Sequence, residues 1–331
     1  MRMAVSGILA AAMVMPPVGA AGRTAPAPLV LEAKIPLGDV AGRIDHLAID
    51  TGRRRLFVAE LGNDSLGVVD LQAGKRLRTI SGLSEPQGVG YEAATDTVYV
   101  ANGGDGSVRV LRAADLSPVG RIELGKDADN VRVDAARGRV LVGYGDGAIA
   151  VIDPRSRTKL ADIRLKAHPE SFQIDPTGKR VFANLPEAQQ IAVADLPNGN
   201  AVGSLPTQGY RANYPMALDP EGHRLIVAFR SPARLLVIAI DDGTVVADLA
   251  TCGDADDVFV DARRRRIYVS CGAGAVDVFE ARGGGYRSIG HIGTAPGART
   301  SLFVPEMDRL FVAVRAAGRE PAAIWVFRPA P

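Results

Sequence analysis

The chain has 331 residues, 47% of them hydrophobic and 23% charged, and 39 Lys+Arg against 37 Asp+Glu leave a net charge of +2. This composition excludes a disordered chain, and the near-neutral balance gives no general reason to expect a polyanionic partner such as nucleic acid. With 37 glycines and 21 prolines, it suits many short strands joined by turns better than a helical protein.

In chain order, Arg2 and the apolar run 3–14 come first, followed by Pro16, Pro17 and the small residues Val18, Gly19, Ala20 and Ala21. This is a secretory signal pattern over residues 1–21, with cleavage after Ala20 or Ala21. The run is shorter than the roughly 20 apolar residues that cross a bilayer as a helix, and no later stretch approaches that length, so no membrane span is expected. Residues 22–28 read as a flexible leader, and the expected location is periplasmic or secreted. From residue 29 onward, seven short segments resemble one another: RLFVA at 55–59, TVYVA at 97–101, RVLVG at 139–143, RVFAN at 180–184, RLIVA at 224–228, RIYVS at 266–270 and RLFVA at 309–313. Their second residues stand at 56, 98, 140, 181, 225, 267 and 310. A strand-like motif recurring about every 42 residues is the signature of propeller blades.

Each repeat carries four strand-like pieces. In the third, 130–134 alternates and ends in a turn, 139–143 follows, Gly145-Asp146-Gly147 turns the chain into 148–153, and 160–165 returns as an outer strand. The last repeat stops after Ile324, Trp325, Val326 and Phe327, one strand short, while residues 29–37 stand ahead of the first repeat like an outer strand. The N-terminal strand is therefore predicted to complete the last blade, which removes open sheet edges. The expected fold is an all-β, seven-bladed β-propeller of four-stranded antiparallel blades, with residues 29–331 as a single domain. Gly103-Gly104-Asp105-Gly106 lies between strands with no following helix, so it reads as a hairpin turn and not as a phosphate loop.

The segment Val98-Tyr99-Val100-Ala101-Asn102, its relative at 267–270 and the repeat period are similar to those of the YVTN family of β-propeller repeat proteins. The resemblance covers nearly all of residues 29–328 and implies a secreted or periplasmic seven-bladed propeller. Members of that family are mostly binding proteins or unassigned ones, so the resemblance carries no catalytic residues to this chain. The fold also resembles, more distantly, the metal-dependent lactonases of the gluconolactonase and paraoxonase type, although no motif here matches theirs at a specific spacing.

Two cysteines, Cys252 and Cys271, are placed by the predicted hairpin at the same end of neighbouring strands, where either a disulfide or two buried thiols fit. No C-x-x-C-H is present, so covalent haem is not expected.

In a propeller the innermost strands line a central channel, and the loops leading into them form one mouth. Counted back from each turn, those segments read Arg43–His46, 85–88, 127–130, 168–171, 212–215, 254–257 and 297–300. Their third positions are Asp45, Gln87, Asp129, Glu170, Tyr214, Asp256 and Arg299, all polar and four of them carboxylates. The fourth positions add His46, Asn130 and Asp257. Convergent polar groups at the mouth of a closed fold make a candidate site for a small ligand, a cation or a protein partner. Crowded carboxylates need a cation, an arginine such as Arg299 or raised pKa values. Hard oxygen donors suit Ca²⁺ or another divalent cation, with Asp129, Glu170, Asn213 and Asp256 as candidate ligands. Asp and Asn before strands also cap turns through backbone amides, which would give a mouth without a ligand.

Binding is the leading functional expectation. The first alternative is a metal-dependent hydrolase or lyase of lactone-like substrates, using His46 or Asp45 as base. The second rests on the opposite face, where the hairpins carry Arg53, Arg54, Arg55, Arg137, Arg139, Lys179, Arg180, Arg224 and the four arginines 263–266. That basic face could bind an anionic polymer through phosphate contacts. Without stacking aromatics, solvated hairpin tips are the plainer expectation, and nucleic acid is not an expected partner.

Overall fold

A computed structural model describes residues 27–196, 199–219 and 223–331. The predicted signal peptide and all but the last two residues of the leader lie outside the described residues. The described chain consists of 28 strands and three short 3₁₀ turns. Hydrogen bonding groups the strands into five sheets of four and one of eight, and the eight-stranded sheet is two antiparallel meanders meeting at a single parallel bridge, Arg164 with Asn200.

Each meander is built alike. In the second repeat, Pro86–Glu92 pairs with Thr97–Asn102, which pairs with Ser107–Arg112, which pairs with Pro118–Glu123, all antiparallel. The middle strand, TVYVAN, is buried along its whole length, because the sheet is covered on both faces by its neighbours. The β-branched and aromatic content of these strands suits that position. Outer strands have no such cover: Asn200–Leu205 is exposed at all but its last residue. Apolar side chains therefore collect in layers between adjacent sheets. One layer joins Phe57, Leu66 and Val68 of the first repeat to Val98, Val100 and Leu111 of the second. Each such fully buried side chain contributes about 1.5–3 kcal/mol.

The turn before each motif strand has a fixed geometry. Arg54, Asp96, Gly138, Gly178, His223, Arg265 and Asp308 all have φ between 50° and 67°. One left-handed residue there reverses the chain into the next strand. Leu29–Gly38 pairs antiparallel with Ala322–Pro329 in the sheet that also holds the motif strand of the seventh repeat, Arg309–Val314. The first strand of every repeat contributes to one axial cavity of about 450 Å³, whose wall includes Ile49, Gly90, Arg132, Gln173, Met216, Val258 and Phe303.

Candidate functional site

Above the axial cavity, at the end where the chain enters these first strands, lies a second cavity of about 280 Å³. Its wall takes side chains from all seven repeats: Arg43, Gln87, Asp127, Asp129, His168, Glu170, Tyr214, Arg230, Asp256 and Arg299. Local backbone geometry explains why these side chains reach the axis. Glu85, Asp127, Ala212, Asp254 and Gly297 are left-handed, with φ between 46° and 82°. Just after the first four of them the strand register slips, between Pro86 and Val89, Ala128 and Val131, Asn213 and Met216, and Ala255 and Asp257. The residues in the slips, among them Gln87, Asp129, Tyr214 and Asp256, are released from the ladder and turned inward, as β-bulges do. Gly88 is part of the same construction, because a Cβ there would collide with the carbonyl of Asp129 on the neighbouring sheet.

Six of the seven predicted third-position residues, Gln87, Asp129, Glu170, Tyr214, Asp256 and Arg299, line this cavity. The seventh, Asp45, is 1% exposed and lies behind the wall, 2.8 Å from the guanidinium of Arg43. His46 borders the axial cavity together with Asp257. Its Nε2 is 3.2 Å from Asn130 Nδ2 and its Nδ1 3.8 Å from Asp257 Oδ1. Asp257 Oδ2 accepts from the Ser301 amide at 2.7 Å. Asn213 is elsewhere: fully buried, it donates to Asn184 Oδ1 and the Gln190 carbonyl at 3.1 and 3.0 Å. Of the four candidate metal ligands, Asp129, Glu170 and Asp256 share the cavity and Asn213 does not. Among the described residues, no group of three or more His, Cys, Asp or Glu side chains is arranged to hold a metal ion.

The carboxylates are not left to repel one another. Asp256 is gripped by Arg299 at 2.9 Å and by Arg230, and Asp254 lies 3.0 Å from Arg299 and 3.2 Å from Arg230. Arg230 also stacks on Tyr214, 3.7 Å from the ring centroid, a cation–π contact that holds both side chains. His168 Nδ1 donates to the Gly145 carbonyl at 2.7 Å, and the ring stands 3.5 Å from Asp127 and 3.8 Å from Asp129. Gln87 donates to Asp127 at 3.2 Å. The mouth is thus a mixed-charge ring in which arginine and histidine offset the acidic column read from the sequence.

Some groups remain without partners. Asp129 Oδ1 and Asn130 Oδ1 are buried and accept no hydrogen bond among the described residues. Burial raises the Glu170 carboxyl to about 7, with Asp129 adding to the rise and His168 opposing it. Burial likewise raises Asp45 to about 6 against the pull of His46 and Arg43. For the two histidines burial works against the charge but loses. The Asp257 hydrogen bond and the fields of Asp45, Asp257 and Asp129 lift His46 to about 10, and Asp129, the Gly145 carbonyl and Asp127 lift His168 to about 9. Near neutral pH the site therefore combines two protonated histidines, a glutamic acid that holds its proton well above the usual carboxyl range and buried oxygens that lack donors among the described residues.

The cysteine alternative is resolved at this same end of the molecule. Cys252 and Cys271 form a disulfide, with Cα atoms 5.8 Å apart, beside the segment that carries Asp254 and Asp256.

Comparisons with known proteins agree on the architecture. No family model matches the chain. It is 25% identical over 214 residues to a protein described as "Uncharacterized protein YncE" in Salmonella typhimurium, and equally so to the Salmonella typhi protein of that description. The match covers 62% of this chain, and the chain spans 60% of the length of those relatives. Among solved structures, a chain of Kuenenia stuttgartiensis hydrazine synthase superposes with a TM-score of 0.70 at 16% identity, covering 91% of this chain and 99% of that one. A chain of a mitotic checkpoint complex gives 0.78 at 12% identity, covering 97% and 99%. At such identities the likeness speaks for the fold alone, and with the succession of four-stranded antiparallel meanders it makes this chain a β-propeller.

Proposed function

We propose that this protein is a secreted or periplasmic binding protein of the YVTN propeller type, whose mouth takes a small, polar ligand that donates hydrogen bonds. In this reading residues 29–331 are one seven-bladed domain, closed by the N-terminal strand and preceded by a signal peptide over 1–21 and a leader over 22–28. The 42-residue period and the pairing of Leu29–Gly38 with Ala322–Pro329 support it.

The observation that carries the functional reading is the cavity of about 280 Å³, walled by ten polar side chains, with Asp129 Oδ1 buried and unpartnered beside it. A buried acceptor without a donor costs about 1–3 kcal/mol, and a ligand bringing ammonium or hydroxyl groups recovers that cost. Because Arg230 and Arg299 already hold Asp256, and Gln87 and His168 stand against Asp127, the carboxyl groups left to a ligand are Asp129 and Glu170. Binding stands ahead of catalysis because most of the wall's charged groups are engaged in pairing with one another around the cavity. A divalent cation such as Ca²⁺ could use the same oxygens and belongs in the test.

The test is a thermal-shift and calorimetric screen of the purified mature protein against amino acids, polyamines, polyols and Ca²⁺. It runs beside the Asp129→Asn/Glu170→Gln variant. A true ligand at one hundred times its Kd stabilises the folded state by about 2.7 kcal/mol, and the shift should vanish in the variant. A screen without binders, or binders indifferent to both substitutions, would overturn the reading.

A further inference from the structure

We infer that the hairpin face carries a second, separate binding site, a cleft between the fifth and sixth repeats that takes a small organic anion with an apolar body. The cleft encloses about 480 Å³. Its rim is basic: Arg224, Arg263, Arg265 and Arg266 line it against one acidic side chain, Asp219. Its floor is apolar, formed by Ile226, Val246, Val260 and Ile267. Tyr286, half-buried, closes one side.

Three motif-strand arginines elsewhere show what a braced seam looks like. Arg55, Arg180 and Arg266 start the motif strands of the first, fourth and sixth repeats, and each reaches across to carbonyls of the next repeat: Ala113 and Ala114, Ile240, and Ala330 and Pro331. Arg224 holds the same position in the fifth repeat, yet among the described residues no such bond spans its seam. Arg263 and Arg265 are exposed at that rim and make no side-chain hydrogen bond or ion pair among the described residues. Arg266 adds an independent sign: it is 8% exposed, lines the cleft, and its Nε is buried without an acceptor. Arginines without partners at the rim of an apolar floor suit an anionic head on a hydrophobic body. Guanidinium groups bind carboxylate or phosphate well, because their fork matches both.

The probes are dodecanoate and phenyl phosphate, with dodecanol and dodecylamine as uncharged and cationic counterparts, measured by titration calorimetry on the mature chain at low salt. One anion should bind per molecule, and the uncharged and cationic counterparts should bind at least tenfold more weakly. Two variants test the place. Arg263→Gln/Arg265→Asn removes rim charge, with Asn chosen because Arg265 has a φ of 57°. Gly285→Trp fills the space, since a Cβ there meets no atom within 4 Å. Each should weaken the anion at least tenfold while the melting temperature stays near that of the parent. The mouth variant Asp129→Asn/Glu170→Gln should bind the anion normally, so failure of either site is seen independently of the other. Equal binding by dodecanol, insensitivity to both cleft variants, or binding to vesicles of anionic lipid but to neither soluble anion would overturn the assignment.

Discussion

The two ends of this propeller are made from the same residue types put to different use. On the hairpin face, arginines find carboxylates and carbonyls and lock one repeat to the next. Arg53 bridges Asp50 and Asp96, Arg137 joins Asp134 to the Pro176 carbonyl, and Arg264 ties Asp261 to Asp308 and the Ala330 carbonyl. At the mouth, arginines and aspartates also pair, but they surround a space, and buried oxygens remain without donors. The difference teaches that charge density does not locate a site. The places where pairing stops do, and the mouth and the cleft beside Arg263 and Arg265, which go unpaired among the described residues, are those places.

The sharpest way to break this contrast is to cut a latch. Arg264 is 11% exposed at its side chain and meets Asp308 at 2.5 and 2.8 Å, while its partner Asp261 is 3% exposed. Arg264→Ala leaves Asp261 buried with one partner fewer and should cost about 3–5 kcal/mol, read from urea unfolding. A loss under about 1 kcal/mol would mean that this face is decorated with charge and not held by it.

Next comes the covalent tie at the mouth. The disulfide spans a sequence separation of 19, so Cys252→Ala/Cys271→Ala should lower stability by about 3 kcal/mol. An unchanged urea midpoint would show that the Asp254–Asp256 segment is fixed by its ion pairs alone.

The smallest effect discriminates most. Glu170 titrates in the folded protein at about 7 against an ordinary 4.5, and Asp45 at about 6 against 3.8. A folded pKa raised above the unfolded one gives stability that is present in full below the unfolded value and lost as pH rises through the folded value. The two carboxyls therefore make stability fall as pH rises from about 4 to 7. His168, raised from 6.5 to about 9, extends the fall into the alkaline range. Glu170→Gln should change stability at pH 5 by less than about 1 kcal/mol, raise it relative to the parent at pH 8, and flatten the slope between. His168→Gln should flatten only the limb above 6.5. A parent curve that rises from pH 5 to 8 would contradict the electrostatics described for the mouth.

Much of this was legible in the sequence, and what was not has physical reasons. The spacing of RLFVA, TVYVA and their relatives follows from repeated sheets and locates each motif strand to the residue. The third-position column led to the cavity wall because equivalent residues of repeats stacked about one axis must converge. Arg43, Asp127 and His168 line the wall as well, and the signal was there: they stand two residues before the chosen column, on the same side of an extended chain. Arg230 left no such signal, since it comes from the far end of a motif strand. The inward turn of Gln87 and Asp256 depends on bulges, which local pattern does not reveal. The hairpin arginines read as solvated tips because their partners lie a whole repeat away. The 43 residues between Arg53 and Asp96, and the 44 between Arg264 and Asp308, are nevertheless the repeat period itself.

The pairing of Leu29–Gly38 with Ala322–Pro329 has a consequence in time. During synthesis the earlier strand emerges with its partner still nearly three hundred residues away, and ten residues of unsatisfied backbone wait through that interval. An unclaimed edge invites pairing with another chain. Folding of this protein to its working form thus favours holding the chain slack until its tail is available.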